Sequence, residues 1–235
     1  MLKQLRKKQT AKKIFLLLAI IIIPAFVLWG ASSSMRSGKE INYAGKLFGK
    51  KVSLQDYIDS HEAIILQGRM RFGDEFNKIQ QEIDINKQTW VRLILLKETE
   101  RQKIKISDKE LVGAIQGMPF FQKQGHFDKK LYQTILNYHF HIQERDFEEK
   151  MRQSLMITKL FDKVTKDILV ANSETEEEIK KLNKPEKKIS AEEKDKIYKN
   201  LLEEKRQVAF RKFLQELFDR ANLEDKISQY KKEAK

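Results

Sequence analysis

The sequence predicts a mainly α-helical protein: a transmembrane helix near the N-terminus, then an exported multi-helix domain closed by a returning amphipathic helix. Three observations predict it. Residues 14–31 form one run of apolar and small side chains without a charge. Only 9 Gly and 3 Pro stand in 235 residues, so turn signals are sparse. Beyond residue 52, apolar residues recur every three or four positions, the period of a helix with one buried face.

The first element is residues 14–31, from Ile14 through Pro24 to Trp29 and Ala31. At about 1.5 Å per residue this run comes within about a turn of a bilayer core, with Trp29 where an interfacial aromatic sits. Pro24 is tolerated mid-membrane and would add a kink. Lys3, Arg6, Lys7, Lys8, Lys12 and Lys13 precede it with no acid among them, which keeps residues 1–13 in the cytoplasm and exports the rest. A cleaved signal peptide shares the basic flank and apolar core. The run is longer than a usual signal core, and its best cleavage position, after Ser33, lacks the preferred Ala, so a retained anchor is the expectation.

Charge and cysteine content narrow the function. The chain carries +13; removing the six cations of the basic tail leaves +7, spread over helices rich in both signs. That pattern is a solvated helical face, open to anionic surfaces, and it points away from nucleic acid. With 0 Cys, the exported part relies on packing rather than disulfides.

Residues 32–52 form a polar connector with a short extended or hairpin-like element before a helix cap. Ser53, with Asp56 three residues on, caps a first helix whose face carries Leu54, Tyr57, Ile58, His61 and Ile65, with Gly68 and Gly73 marking its end. Asp74 opens a second helix through Ile79, Ile83, Trp90, Val91, Ile94 and Leu95. Ser107 repeats the capping signal, with Asp108 and Glu110 placing acids in the first turn of a short third helix ending at Gly117. A distinctive loop from Gly117 to Asp128 follows, and Asp128 caps the helix around Leu131, Tyr132, Ile135 and Leu136. Another cap, at Gln143 or Glu144, precedes a helix over about 145–169 with Phe147, Met151, Leu155, Leu160, Val164 and Ile168 on its apolar face.

Residues 170–189 are poor in apolar side chains and read as a polar linker. Ser190 with Glu193 then caps a last long helix over 190–222, in which Phe210, Phe213, Leu214, Leu217 and Phe218 form a packing face that must return to the earlier helices. Residues 223–235 are expected as a solvated tail.

The series Ser107, Glu110, Ile115, Pro119, Phe121, Gly125, Phe127, Asp128, Tyr132, Leu136, Phe147, Glu148, Arg152 and Leu155 resembles the N-terminal chaperone domain of the SurA/PpiD-type family. The likeness covers most of the chain to about residue 168, and the last helix is similar to the one that completes that module. Where the family has Gly after the Tyr132 helix, this chain has Asn137, Tyr138 and His139. The family carries parvulin-type isomerase domains between its first helices and the returning one; here that interval is 170–189, too short for a catalytic α/β domain.

A search for chemistry points to a non-enzyme without metal or cofactor. His139 and His141, two apart, fall on different sides of a helix and lack a third ligand. No serine elbow or phosphate loop occurs, and Glu148–Glu149 and residues 176–178 read as solvated helix charge. What stands out is Met118, Phe120, Phe121 and Phe127 in one loop, flexible and aromatic side chains suited to gripping extended clients; the same loop folded inward would plug the core.

The resemblance and the anchor together imply a single-pass chaperone of the bacterial inner membrane with its domain in the periplasm. Its expected partners are unfolded or newly translocated envelope proteins, the lipid bilayer, and the export channel as a further candidate. It would hold clients without ATP or catalysis. The alternative is a bitopic scaffold subunit of a secretion or division complex, recognised by one fixed partner rather than many.

Overall fold

The computed structural model describes residues 43–181 and 190–233; the expected membrane span, with Ile14, Pro24 and Trp29, lies outside them. Among the described residues, no helix is long and apolar enough to cross a membrane.

The connector forms the expected hairpin. Strands β1 (Gly45–Leu47) and β2 (Lys50–Val52) pair antiparallel, Gly45 opposite Val52 and Leu47 opposite Lys50. Phe48 and Gly49 between them have φ of 52° and 74°, the left-handed pair that a two-residue hairpin turn requires. Ser53 then caps α1 (Leu54–Phe72), its hydroxyl accepting from the Asp56 amide at 3.0 Å.

The second helix departs from the sequence expectation. Instead of one helix from Asp74, the chain makes a 3-10 turn at Gly73–Glu75, one helical turn α2 (Phe76–Ile79), and a fresh start at α3 (Ile85–Arg101). Gly73 at φ 56° reverses the chain, and the Asp84 carboxylate accepts from the Lys87 amide at 3.0 Å to begin α3. Gly68 does not end α1: it lies inside the helix, where the buried Phe76 ring occupies the space a Cβ would need.

Ser107 and Glu110 close a full capping box on α4 (Asp108–Gln116). Pro119–Phe121 makes a 3-10 turn into the small hairpin β3 (Gln122–Lys123) and β4 (His126–Phe127), turning at Gln124 and Gly125 with φ of 55° and 80°. Asp128 caps α5 (Lys129–Thr134), which widens into a π-helical turn over Ile135–Phe140. Helix α6 follows (Glu144–Thr165), ending four residues before the expected Leu169.

Part of the expected linker is ordered helix. α7 (Asn172–Lys181) buries Ile179, with Val170 buried just before it. Both Glu174 carboxylate oxygens accept from Lys205 Nζ at 2.8 Å, tying α7 to α8 (Ala191–Ala221), which begins at the expected Ser190–Glu193 box. A few apolar contacts and an ion pair hold a helix that composition alone does not announce.

The tail is not a solvated extension. Residues Glu224–Asp225 add a strand, β5, to the other edge of β1, giving the antiparallel order β2-β1-β5, and α9 (Lys226–Glu233) follows. Leu223 and Ile227 pack on the core, the Phe48 amide donates to the Ala221 carbonyl at 2.7 Å, and Lys46 pairs with Glu224 at 2.8 Å. β5 approaches β1 so closely because residue 45 is Gly: a Cβ there would run into the Glu224 carbonyl and the Trp90 ring.

Two hydrophobic clusters result. The first joins Leu47 and Val52 of the hairpin, Tyr57, Trp90, Ile94, Leu160 and the end of α8 at Leu217 and Ala221. Phe210, Phe213, Leu214 and Phe218 pack against it half-buried, as the periodicity of that helix predicts. The second joins Leu66, Leu111, Ile115, Phe121, Tyr132, Leu136, Phe147 and Met151. Helices α1 and α6 contribute to both clusters and so frame the molecule.

Candidate functional site

The loop after α4 is folded rather than splayed. The Phe121 amide donates to the Met118 carbonyl at 3.0 Å, and the Asp128 amide returns to the Phe121 carbonyl at 2.9 Å. The Phe120 and Phe121 rings stay in edge-to-face contact, centroids 4.3 Å apart, but differ in cover. Phe121 is fully buried, edge-on to Tyr132 and Phe147 with ring centroids 4.8 and 5.7 Å away. It is therefore a core residue and cannot touch a client. Met118 and Phe127 pack half-buried on the same cluster, whereas Phe120 stands 37% exposed.

Phe120 overhangs an open groove of about 450 Å³ whose apolar lining is Met70, Phe120, Ile135 and Phe140. Arg69, Asp74, Asn77 and His139 form its polar rim. Three local features build it. Gly73 turns the chain at the end of α1 and leaves Met70 facing the loop. The π-helical turn, with its extra residue, carries Ile135, His139 and Phe140 to the groove; such turns recur at functional sites. His141, at φ 52°, then reverses the chain, with its Nδ1 3.0 Å from the Asn137 carbonyl. The Phe120 and Phe140 rings meet edge to face at 6.5 Å, and the same segments display Phe72 and Tyr138, 37% and 75% exposed.

The groove is suited to apolar side chains flanked by peptide groups: a few aromatic or methionine contacts with polar groups at the edge. Sequence reading found Phe120 but missed Met70, Ile135 and Phe140. Met70 and Phe72 beside Gly73 were the available signal, since large apolar residues adjoining a chain reversal tend to be left half covered.

A second hollow, about 500 Å³, sets Leu47, Phe48 and Val52 beside a largely basic rim that includes Lys50, Lys51, Lys97, Arg101 and Arg220. Serines serve as caps at Ser53, Ser107 and Ser190. Among the described residues, no three His, Asp or Glu side chains gather where they would hold a metal ion.

The residues that carry the family resemblance prove to be framework. Ile115, Phe121, Tyr132, Leu136 and Phe147 are all buried in the second cluster. Arg152 bridges the Ile106 carbonyl and Asp108, both at 2.8 Å. Burial pushes the Tyr132 phenol well above its usual range, so it stays neutral in the core.

A helical domain entered through a hairpin, closed by a returning helix and carrying a folded aromatic loop is the frame of a chaperone-type module. The defining pattern of the SurA-like N-terminal domain matches residues 1–161, and the chain belongs to that family. Among curated proteins it is similar to the periplasmic chaperone PpiD of Escherichia coli K12, 27% identical over 165 residues, covering 67% of this chain and 26% of that protein. The PpiD of Haemophilus influenzae is 28% identical over 159 residues, 64% of this chain and 25% of that protein. The PpiD of Buchnera aphidicola is 24% identical over 201 residues, 80% of this chain and 31% of that protein. The chain thus matches about a quarter to a third of the length of these relatives. No solved structure matches it significantly.

Proposed function

We propose that this protein is a membrane-anchored periplasmic holdase that binds unfolded or newly translocated envelope proteins without ATP and without isomerase activity. The observation that carries the reading is the Phe120 groove, an exposed apolar hollow built on a rigid aromatic core. Support comes also from the relatives, each named a periplasmic chaperone. Between α6 and α8 the chain has room for α7 and a short connection, which favours binding over catalysis. The basic flank and apolar run at residues 1–31 favour an inner-membrane anchor, which would keep weak binding sites concentrated near emerging clients.

The test is aggregation of a denatured outer-membrane-type protein, followed by light scattering with the purified full chain present. The expected result is suppression at near-stoichiometric ratios, with no acceleration of prolyl-peptide isomerisation. Phe120→Ser should weaken suppression several-fold at a temperature where melting shows the variant still folded, a control needed because the ring, 37% exposed, also packs on Phe121 at 4.3 Å. Absence of suppression, or cross-linking in the membrane to one stoichiometric partner, would favour a scaffold instead.

A further inference from the structure

Arg92 of α3 is 3% exposed, yet the oxygens it bonds are all neutral. Its Nη1 donates to Ser154 Oγ at 3.3 Å; its Nη2 donates to the Lys150 carbonyl at 3.4 Å and to Gln153 Oε1 at 3.2 Å. These distances lie at or beyond the long end of good N–H···O bonds. Nε is sealed from solvent and donates to nothing. Other arginines of this chain meet acids at short range: Arg101 holds the buried Glu98 at 2.6 Å and Arg206 holds Asp162 at 2.6 Å. A buried cation ordinarily has such a partner. Here burial acts alone and pushes the guanidinium down to about 10.

A hollow of about 240 Å³ opens beside Arg92 between α1, α3 and α6. Ile64, Val91, Leu95 and Ile157 give it an apolar wall. On its polar side Ser154 Oγ accepts from Gln67 Nε2 at 2.7 Å as well as from Arg92, so one hydroxyl is shared by two donors. Gln67 is exposed, so an acceptor that displaced its bond to Ser154 would meet the Arg92 guanidinium.

We propose that this hollow is a subsite for the C-terminal residue of a polypeptide, whose α-carboxylate pairs with Arg92 while its apolar side chain lies on the Ile64–Ile157 wall. Charge complementarity selects a carboxylate. The volume suits one residue rather than a segment. A chain end carries both an acid and an apolar side chain on a single Cα, matching a guanidinium set beside an apolar wall; a glutamate side chain brings the charge alone. The hollow shares no lining residue with the Phe120 groove, so the inference goes beyond the holdase reading and stands or falls separately from it.

The experiment measures binding of fluorescent peptides ending in leucine to the purified full chain. One peptide has a free C-terminus, one a C-terminal amide, and a third is the amide with glutamate in place of the residue before leucine. The free acid is expected to bind about tenfold or more tighter than either amide, the scale of a charge-assisted bond. Arg92→Met should erase that preference. The same substitution should leave the fold at least as stable, because it removes a buried charge that lacks an acid. Equal binding of acid and amide, binding of the glutamate peptide as tight as the free acid, or no binding of the free acid at millimolar peptide would each overturn the proposal. These comparisons use the unmodified chain and do not depend on the variant folding.

Discussion

Leu217→Ala probes whether the returning helix is integral to the fold or an attachment. In α8 only Leu217 and Ala221 are fully buried, and Leu217 sits in the cluster that also holds Trp90, Ile94, Leu160 and the N-terminal hairpin. The substitution removes three carbon atoms, about 2.4 kcal/mol of transfer free energy at about 0.8 kcal/mol per methylene. The cavity left behind raises the total to about 3–5 kcal/mol, the upper part of the range for buried leucines. Alanine is at least as good a helix former as leucine, so the loss reports packing rather than propensity. For a domain of this size, urea slopes of about 2–3 kcal/mol/M convert that loss into a midpoint shift of about 1–2.5 M. Val208→Ala, on the same helix but 52% exposed, is the control and should shift the midpoint by no more than about 0.3 M. A single transition moved by the expected amount means that α8 unfolds with the rest. The reasoning fails if Leu217→Ala moves the midpoint no further than Val208→Ala does.

Two further perturbations test other joints. Gly45→Ala places a methyl group against the Glu224 carbonyl and Trp90, so it should cost about 1–3 kcal/mol, as overpacking does, and expose the chain after Ala221 to protease; an unchanged digestion pattern would argue against the tight β1–β5 approach. Glu110 has its carboxyl held down to about 2, first by the Lys159 ammonium at 2.8 Å and then by the Ser107 amide and hydroxyl. A depressed folded-state pKa stabilises above the ordinary carboxylate range and loses that contribution as pH falls toward the folded value. Glu110→Gln should therefore lower Tm at neutral pH, with the gap to the unaltered protein narrowing below about pH 4 and closing near pH 2. A gap independent of pH would show that the carboxylate charge plays no part.

The local signals in this chain were strong where one residue type does one job. Ser53, Ser107, Asp128 and Ser190 announce helix starts because a side-chain oxygen satisfies an amide that has no other partner, and each does so in the fold. The periodic Phe210, Phe213, Leu214, Leu217 and Phe218 announced a helix that must be covered. The family motif was legible because core and cap residues hold their spacing.

What depended on the tertiary structure involves residues far apart in the chain. The helix expected from Asp74 breaks because Phe76 finds its place on Gly68 and Asp84 offers a second cap, a competition that periodicity does not rank. The tail becomes a strand because Gly45, about 180 residues earlier, leaves room for it. In the same way the adjacent Phe120 and Phe121 look alike as sequence, yet Tyr132 and Phe147 close over Phe121 while Phe120, touching it at 4.3 Å, is left at the groove. Helix caps and faces are decided within a few residues and can be read from them. Burial is decided by what else arrives, so the candidate groove and the isolated charge of Arg92 emerge only when the helices are brought together.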